Sequence, residues 1–409
     1  MNVIEKFTTR VSRYGIKYVI QVIIRNKLYR RIDSIVMSAV KMFTKKKALT
    51  NTIVIESHND FDCNGGAFYN YLINNGYNKK YKIVWMLRNK KPEYLPENVI
   101  AFQIFKPSFR KAYYLCVAKY MTSDHSAMGR IRDGQIACYL DHGSIGLKAF
   151  KGQSKLPDEL DCILAPSDFL IPILADQYNL PYPNSKQMIL GYPMHDVFYD
   201  ASKGDLYKIT EKKYSKVILW MPTFRKAVAF ERNDSNIDLP LGIPIFRDEK
   251  SCVILNEFLA KNDTLLVIKI HPMQDLTTVK VKGMSNIIVI DANAVKKLGV
   301  DNYRLMKDVD ALISDYSSAA YDFLHRNKPI GFTLDDAMDY KLGFVFENPI
   351  EYMPGHIIYN QKDFIGFIED VVNEKDPFEK KRNEISNLFF KYHDGNSSKR
   401  LVEYLGLSK

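Results

Sequence analysis

Four short apolar runs end in residues that handle protons or phosphate. Residues 136–143, IACYLDHG, close on Asp141, His142 and Gly143, and Ser144 follows. An imidazole at such a position can take a proton from an attacking hydroxyl, because its ordinary pKa lies near neutrality. Gly143 allows a tight turn and the close approach of a ligand. The run TLLVI ends in Lys269-Ile270-His271-Pro272. Pro272 fixes the backbone there, and His271 can donate to a phosphate oxygen. Ser314-Asp315-Tyr316-Ser317-Ser318 leads from a strand end into a helix start that includes Asp322. Main-chain N–H groups and serine hydroxyls at a helix start suit phosphate. Pro222-Thr223-Phe224-Arg225 follows another strand, and the Arg225 guanidinium offers planar multiple donors. Each signal has an ordinary structural alternative: a turn histidine, a helix cap, a surface ion pair. Together they form an inventory for phosphoryl transfer without a P-loop.

The elements that must carry these ends are short β-branched runs separated by helical stretches. The first set covers 52–57, 82–87, 99–105, 119–124, 136–143, 162–167 and 187–193; the second covers 216–222, 264–272, 286–291, 311–317 and 329–333. Apolar runs of this length alternating with helices predict parallel sheets covered on both sides. The expected fold class is α/β, with two doubly wound Rossmann-like domains. Ligands of such folds bind outside the carboxyl ends of the strands, so the two domains are expected to face a cleft. The expected boundaries are a basic segment over 1–50, an N-terminal acceptor domain over 51–200, a C-terminal nucleotide-donor domain over 215–375 and helices over 376–409. Residues 198–214 read as a polar linker, and 226–250 as a long loop. No GxGxxG follows the first strand and no GxxxxGK[ST] occurs, which removes the usual dinucleotide and P-loop signatures.

In combination the turns resemble the CDP-glycerol glycerophosphotransferase family, the teichoic acid primases and polymerases. Its members carry a histidine-glycine-threonine turn, a proline-threonine-tryptophan-arginine turn, a histidine-proline turn and an aspartate-tyrosine-serine-serine helix start. These read here as His142-Gly143-Ser144, Pro222-Thr223-Phe224-Arg225, His271-Pro272 and Asp315-Tyr316-Ser317-Ser318, in the same order. Asp322-Phe323, Lys328-Pro329-Ile330, Gly191-Tyr192-Pro193 and Tyr392-His393-Asp394-Gly395 add to the likeness. The resemblance implies a GT-B fold, a CDP-glycerol or CDP-ribitol donor, CMP as product, and neither metal nor cofactor. It implies that His142 is the base on the acceptor hydroxyl and that His271 assists the leaving group. Arg225, Thr223, Asp315, Ser317, Ser318 and Asp322 would face the donor; Asp141, Gly143 and Ser144 would face the acceptor. Asp141 stands where tryptophan is frequent, Ser144 replaces threonine, Phe224 replaces tryptophan, and Met194-His195 replaces arginine-asparagine. The acceptor is therefore expected among teichoic acids, capsules and related surface polymers. Two other readings remain: a GT-B glycosyltransferase using a nucleotide sugar, and a non-catalytic membrane-associated assembly protein.

Charge points to the setting. Of the formal net charge of +11, residues 1–50 carry +10: twelve Lys/Arg against Glu5 and Asp33. A basic head on a near-neutral body speaks against nucleic acid and for an anionic membrane surface. Ile16, Val19, Ile20, Ile23 and Ile24 follow helical spacing, as do Leu28, Ile32, Ile35 and Val36, so an interfacial amphipathic helical segment is expected. The runs YVIQVII and SIVMSAV are far short of the roughly 20 residues of a spanning helix. Five scattered cysteines without CxxC spacing suggest reduced core residues and a reducing compartment. The expected place is the cytoplasmic face of the membrane, peripherally bound, with a lipid-linked acceptor as partner. A homo-oligomer is compatible with the sequence.

Overall fold

Polar residues decide where each apolar run leaves its sheet. In the computed structural model all twelve expected runs form strands, most of them ending before the polar residues that close the run. The structure describes residues 11, 15–143, 145–152, 155–224, 226–227, 232–233, 239–274, 276–335 and 343–409. Ser144 and Arg225 therefore lie outside the described residues.

The strands are β1 Thr50–Glu56, β2 Lys82–Leu87, β3 Val99–Gln103, β4 Ala118–Ser123, β5 Ile136–Tyr139, β6 Cys162–Leu164, β7 Gln187–Met188 and β8 Lys216–Trp220. A two-residue ribbon, β9 Lys226–Ala227 and β10 Arg232–Asn233, follows. Then come β11 Thr264–Lys269, β12 Ile287–Ile290, β13 Ala311–Ser314, β14 Ile330–Thr333 and β15 His356–Ile358. β15 was not expected: three residues between Gly355 and Tyr359 are too few to show a strand pattern.

The chain forms two compact units. The first comprises Met1–His142, Leu156–Leu164 and Ser398–Lys409; the second comprises Gly143–Lys155 and Ala165–Ser397. Within the first unit the strand order is β3-β2-β1-β4-β5-β6, and every pairing is parallel. The chain winds outward from β1 to β3, then returns to β4 on the other side of β1. The order therefore reverses between β1 and β4, the position at which doubly wound sheets bind ligands. In the second unit the order is β12-β11-β8-β13-β14-β15, again all parallel, with its reversal between β8 and β13.

The strand interiors are buried on both faces, which is why they read as continuous apolar runs rather than alternating ones. Trp220 of β8 is fully buried and packs 4.8 Å, ring to ring, from Phe364. Residues 198–214 are not a free linker. Asp205 is fully buried and accepts hydrogen bonds from Asp301 N at 2.8 Å and Arg304 Nε at 3.1 Å, which bind this polar stretch to the second unit.

The N-terminal segment forms helices Ile16–Ile23 and Arg30–Thr44. Val36 and Val40 pack on Ala112 and Cys116, and Asp33 pairs with the buried Lys111 at 2.9 Å. The opposite face leaves Ile16, Ile20, Ile24, Leu28, Ile32, Ile35, Met42 and Phe43 exposed. Among the described residues no helix is long and apolar enough to cross a membrane. Cys116, Cys138, Cys162 and Cys252 are buried, Cys63 is half-buried, and none of the five forms a disulfide.

Candidate active site

In the first unit, β5 delivers Asp141 and His142 from its carboxyl end. Asp141 adopts φ +58°, a left-handed conformation that aspartate tolerates because its side chain bonds locally. Its Oδ1 accepts the His142 N–H at 2.7 Å and lies 3.4 Å from His142 Nδ1. The turn is held from behind by Asn64, buried in the first turn of helix Cys63–Asn74. Asn64 Nδ2 donates to the carbonyls of Leu140 and Asp141, both at 2.9 Å. Burial pulls the His142 pKa down, but the hydrogen bond and charge of Asp141, with Asp124, outweigh it and raise the value. The ring is 50% exposed, so its desolvation is partial and the carboxylates dominate.

Two further histidines stand beside it. His58 follows β1 and His125 follows β4, so they flank the reversal point of the sheet. The His58 ring stacks on His142 with centroids 5.5 Å apart, and His125 lies edge-on to His142 at the same distance. His58 Nδ1 and His125 Nδ1 are 3.0 Å apart. Beneath them lie two fully buried carboxylates. Asp124 accepts the N–H of His58 and of Gly65, both at 2.7 Å. Glu56 pairs with Arg88 and accepts the N–H of His125 at 3.2 Å and of Ser126 at 3.0 Å. Burial, with the nearby Glu56, holds the Asp124 carboxyl well above the usual range, against the pull of its two N–H donors. Sequence reasoning missed His58 and His125, because neither sits in a pattern that differs from an ordinary polar turn.

In the second unit, the ends of β8 and β13 meet at that sheet's reversal. Asp315 is fully buried there. Its Oδ2 accepts Thr223 N at 2.8 Å; its Oδ1 accepts Thr223 Oγ1 at 2.5 Å and Ser317 N at 3.1 Å. Asp315 thus ties the Thr223 turn to the serine turn from below. Lys148 Nζ donates to Thr223 Oγ1 at 3.0 Å. Ser317 and Ser318 are half-buried at the start of helix Ser318–Asp322. A Cβ on Gly143 would stand 2.9 Å from Ser318 Oγ, and one on Gly146 would stand 2.9 Å from Ser318 N. Only glycine permits this approach of the 143–148 segment to the helix start. His271, half-buried after β11, accepts the N–H of Met273 on Nδ1 at 3.1 Å and packs on Phe224, centroids 4.9 Å apart.

Asp322 turns into the protein. It bonds His195 Nε2 at 2.8 Å and Tyr303 Oη at 3.2 Å, and both His195 and Asp322 are buried. The second unit thus brings together Gly143, Thr223, Asp315, Ser317 and Ser318, while Asp141 and His142 lie in the first unit. Among the described residues no group of three or more His, Cys, Asp or Glu side chains is arranged to hold a metal ion.

Residues 36–407 match the model of the family described as CDP-Glycerol:Poly(glycerophosphate) glycerophosphotransferase. The chain belongs to this family. Its relatives include the teichoic acid glycerol-phosphate primase of Bacillus subtilis, 29% identical over 53% of this chain and 50% of that protein. The Staphylococcus aureus ribitol-phosphate polymerase TarL is 25% identical over 90% of this chain and 64% of its own length. The poly(glycerol phosphate) polymerase of Bacillus spizizenii is 22% identical over 92% of this chain and 96% of its own. The chain thus spans less than two thirds of the first two of these relatives and nearly all of the third. Among solved structures, the wall teichoic acid polymerase TagF superposes with a TM-score of 0.72 at 19% identity, covering 94% of this chain and 95% of TagF. This glycerophosphotransferase-family chain therefore has the GT-B fold, with two parallel α/β sheets. Its family turns at His142, Thr223, His271 and Ser317-Ser318 all lie at or just beyond carboxyl ends of strands.

Proposed function

We propose that this protein transfers glycerol phosphate or ribitol phosphate from a CDP-linked donor to a hydroxyl of a lipid-linked acceptor, releasing CMP, in the synthesis of teichoic acid or a related surface polymer. The observation that carries this reading is the Asp141–His142 pair at a strand end, its imidazole half-exposed beside a buried carboxylate, in a chain of the glycerophosphotransferase family. The acceptor oxygen attacks the donor's β-phosphorus and gives its proton to His142. The bond from that phosphorus to the CMP oxygen breaks. His271, Arg225, Ser317, Ser318 and Thr223 supply donors to the pyrophosphate as charge moves onto CMP. Asp315 positions Thr223 and Ser317 rather than meeting the phosphate, since a carboxylate would repel it, and Asp322 holds His195 and Tyr303 instead. No metal or cofactor takes part in this scheme. CMP release is measured with CDP-glycerol and, separately, CDP-ribitol, each with a phosphoglycerol-terminated lipid acceptor. Acceptor-dependent release names the donor; release only from a nucleotide sugar would replace this reading by a glycosyltransferase.

His142 acts as a base only when neutral, so turnover falls as pH drops through its pKa. Asp141 and Asp124 hold that pKa above the ordinary 6.5, and the acid limb of kcat/KM is expected above 6.5. Asp141→Asn removes one of the two charges. The limb then moves to lower pH while the plateau rate falls, because the ring loses an orienting partner. A limb that stays in place in Asp141→Asn would show that another group sets it.

The exposed row Ile16, Ile20, Ile24, Leu28, Ile32 and Ile35 lies among Lys17, Lys27, Arg30 and Arg31. This pattern supports peripheral attachment to the cytoplasmic face of an anionic membrane. Each basic residue near such a surface contributes about 1 kcal/mol. Ile20→Asp with Leu28→Asp is expected to cut co-sedimentation with phosphatidylglycerol vesicles while leaving turnover of a soluble acceptor intact. Unchanged sedimentation would refute the attachment.

A further inference from the structure

We propose that His58 and His125 form a hydroxyl-recognition pair that grips the polyol end of the acceptor beside the base, His142. The proposal rests on the transfer reading above and names the part of the site that reads the acceptor. Its ground is the Nδ1···Nδ1 distance of 3.0 Å. A hydrogen bond between two Nδ1 atoms requires one to carry the proton and the other to be bare. With both rings neutral, the tautomers are then fixed in opposite senses. The ring donating from Nδ1 has a bare Nε2, an acceptor; the other ring has Nε2–H, a donor. The pair therefore offers one donor and one acceptor, the complement of a hydroxyl or of two neighbouring hydroxyls.

Both rings stay neutral near pH 7. Burial, then the charge of His142, lowers His58 to about 4, with Asp62 opposing and Arg88 assisting. Burial, then His58, Arg88 and His142, lowers His125 to about 4. Neutral imidazoles suit an uncharged polyol better than a phosphate. The supports are rigid: buried Asp124 holds the His58 main chain, and buried Glu56 holds that of His125. Preorganised backbones of this kind are what a specificity site needs. The pair also flanks the β1/β4 reversal, and both rings lie 5.5 Å from that of His142, close enough for a hydroxyl held by the pair to meet the base.

Two measurements test this in the full-length protein. In CMP-release kinetics, His58→Ala and His125→Ala are each expected to raise the acceptor KM about three- to tenfold, with donor KM unchanged, as for loss of a neutral hydrogen bond. His125→Gln keeps a donor and an acceptor and is expected to restore most of the affinity; circular dichroism checks that each variant is folded. An unchanged acceptor KM in both alanine variants, or a shift of the acid limb alone, overturns the proposal and leaves the transfer reading standing. The second measurement needs no donor. Side-chain nitrogen NMR of histidine-labelled protein is followed with glycerol 3-phosphate and with propyl phosphate, which lacks the hydroxyls. His58 and His125 signals are expected to respond to the first and not to the second. Equal responses overturn the proposal even if no CDP-polyol is turned over, an outcome that would by itself remove only the transfer reading.

Discussion

His142→Ala is expected to lower acceptor-dependent CMP release by about 10²–10⁴-fold, the usual contribution of a positioned general base. The donor KM should hold, because the residues assigned to the pyrophosphate come from other turns. The fold should hold as well. The ring is 50% exposed, and it is the Asp141 main-chain carbonyl, together with that of Leu140, that receives Asn64. Truncation therefore leaves the turn's anchor in place. The measurement is kcat at saturating acceptor, with circular dichroism as the check on folding. A variant that keeps turnover within about threefold of the parent would remove His142 from the chemistry, since no base contribution in the usual range is that small. Exogenous imidazole offers a finer check. Partial recovery in the presence of imidazole, in His142→Ala but not in His271→Ala, would separate proton removal from stabilisation of the leaving phosphate.

The sheets were legible because their strands are buried on both faces. TIVIE, KIVWML and TLLVIK carry no polar residue that faces solvent by alternation, as strands of a parallel sheet covered on both sides do. The turns at His142, Thr223, His271 and Ser317 were legible for a related reason: a polar cluster that abruptly closes an apolar run marks a strand end. What no strand end reveals is the direction of a carboxylate. Asp315 and Asp322 read as donor-facing, yet Asp315 turns beneath Thr223 and Ser317, and Asp322 turns to His195 and Tyr303. The histidine pair was invisible for a topological reason. His58 and His125 are far apart in sequence and meet only because β4 returns to lie against β1. His195 looked like a departure from the family pattern; with Asp322 it forms a buried pair that explains both residues at once.

Asp315→Ala is expected to destabilise the second unit by about 3–5 kcal/mol and to raise the donor KM by about tenfold or more. Asp315 is fully buried and accepts hydrogen bonds from Thr223 N, Thr223 Oγ1 and Ser317 N. Truncation leaves buried N–H groups without their acceptor, at about 1–3 kcal/mol each. The Thr223 hydroxyl still accepts from Lys148 but loses the acceptor of its own proton, which is free to rotate, whereas the two main-chain donors are fixed. Those donors belong to the turns after β8 and β13, which flank the sheet reversal, so one substitution loosens both sides of the proposed donor site. The chain has two tryptophans, Trp85 in β2 and Trp220 in β8, so each unit carries its own probe. In a Trp85→Phe background, urea unfolding followed by Trp220 fluorescence reports the second unit alone. Asp315→Asn, which keeps one oxygen acceptor but places an amide N–H₂ against the other donors, should fall between the parent and the alanine variant. If the alanine variant unfolds at the parent's midpoint yet loses donor affinity, Asp315 meets the donor directly. If midpoint and affinity fall together, and asparagine recovers both in step, it acts by holding the turns, as its hydrogen bonds to Thr223 and Ser317 indicate.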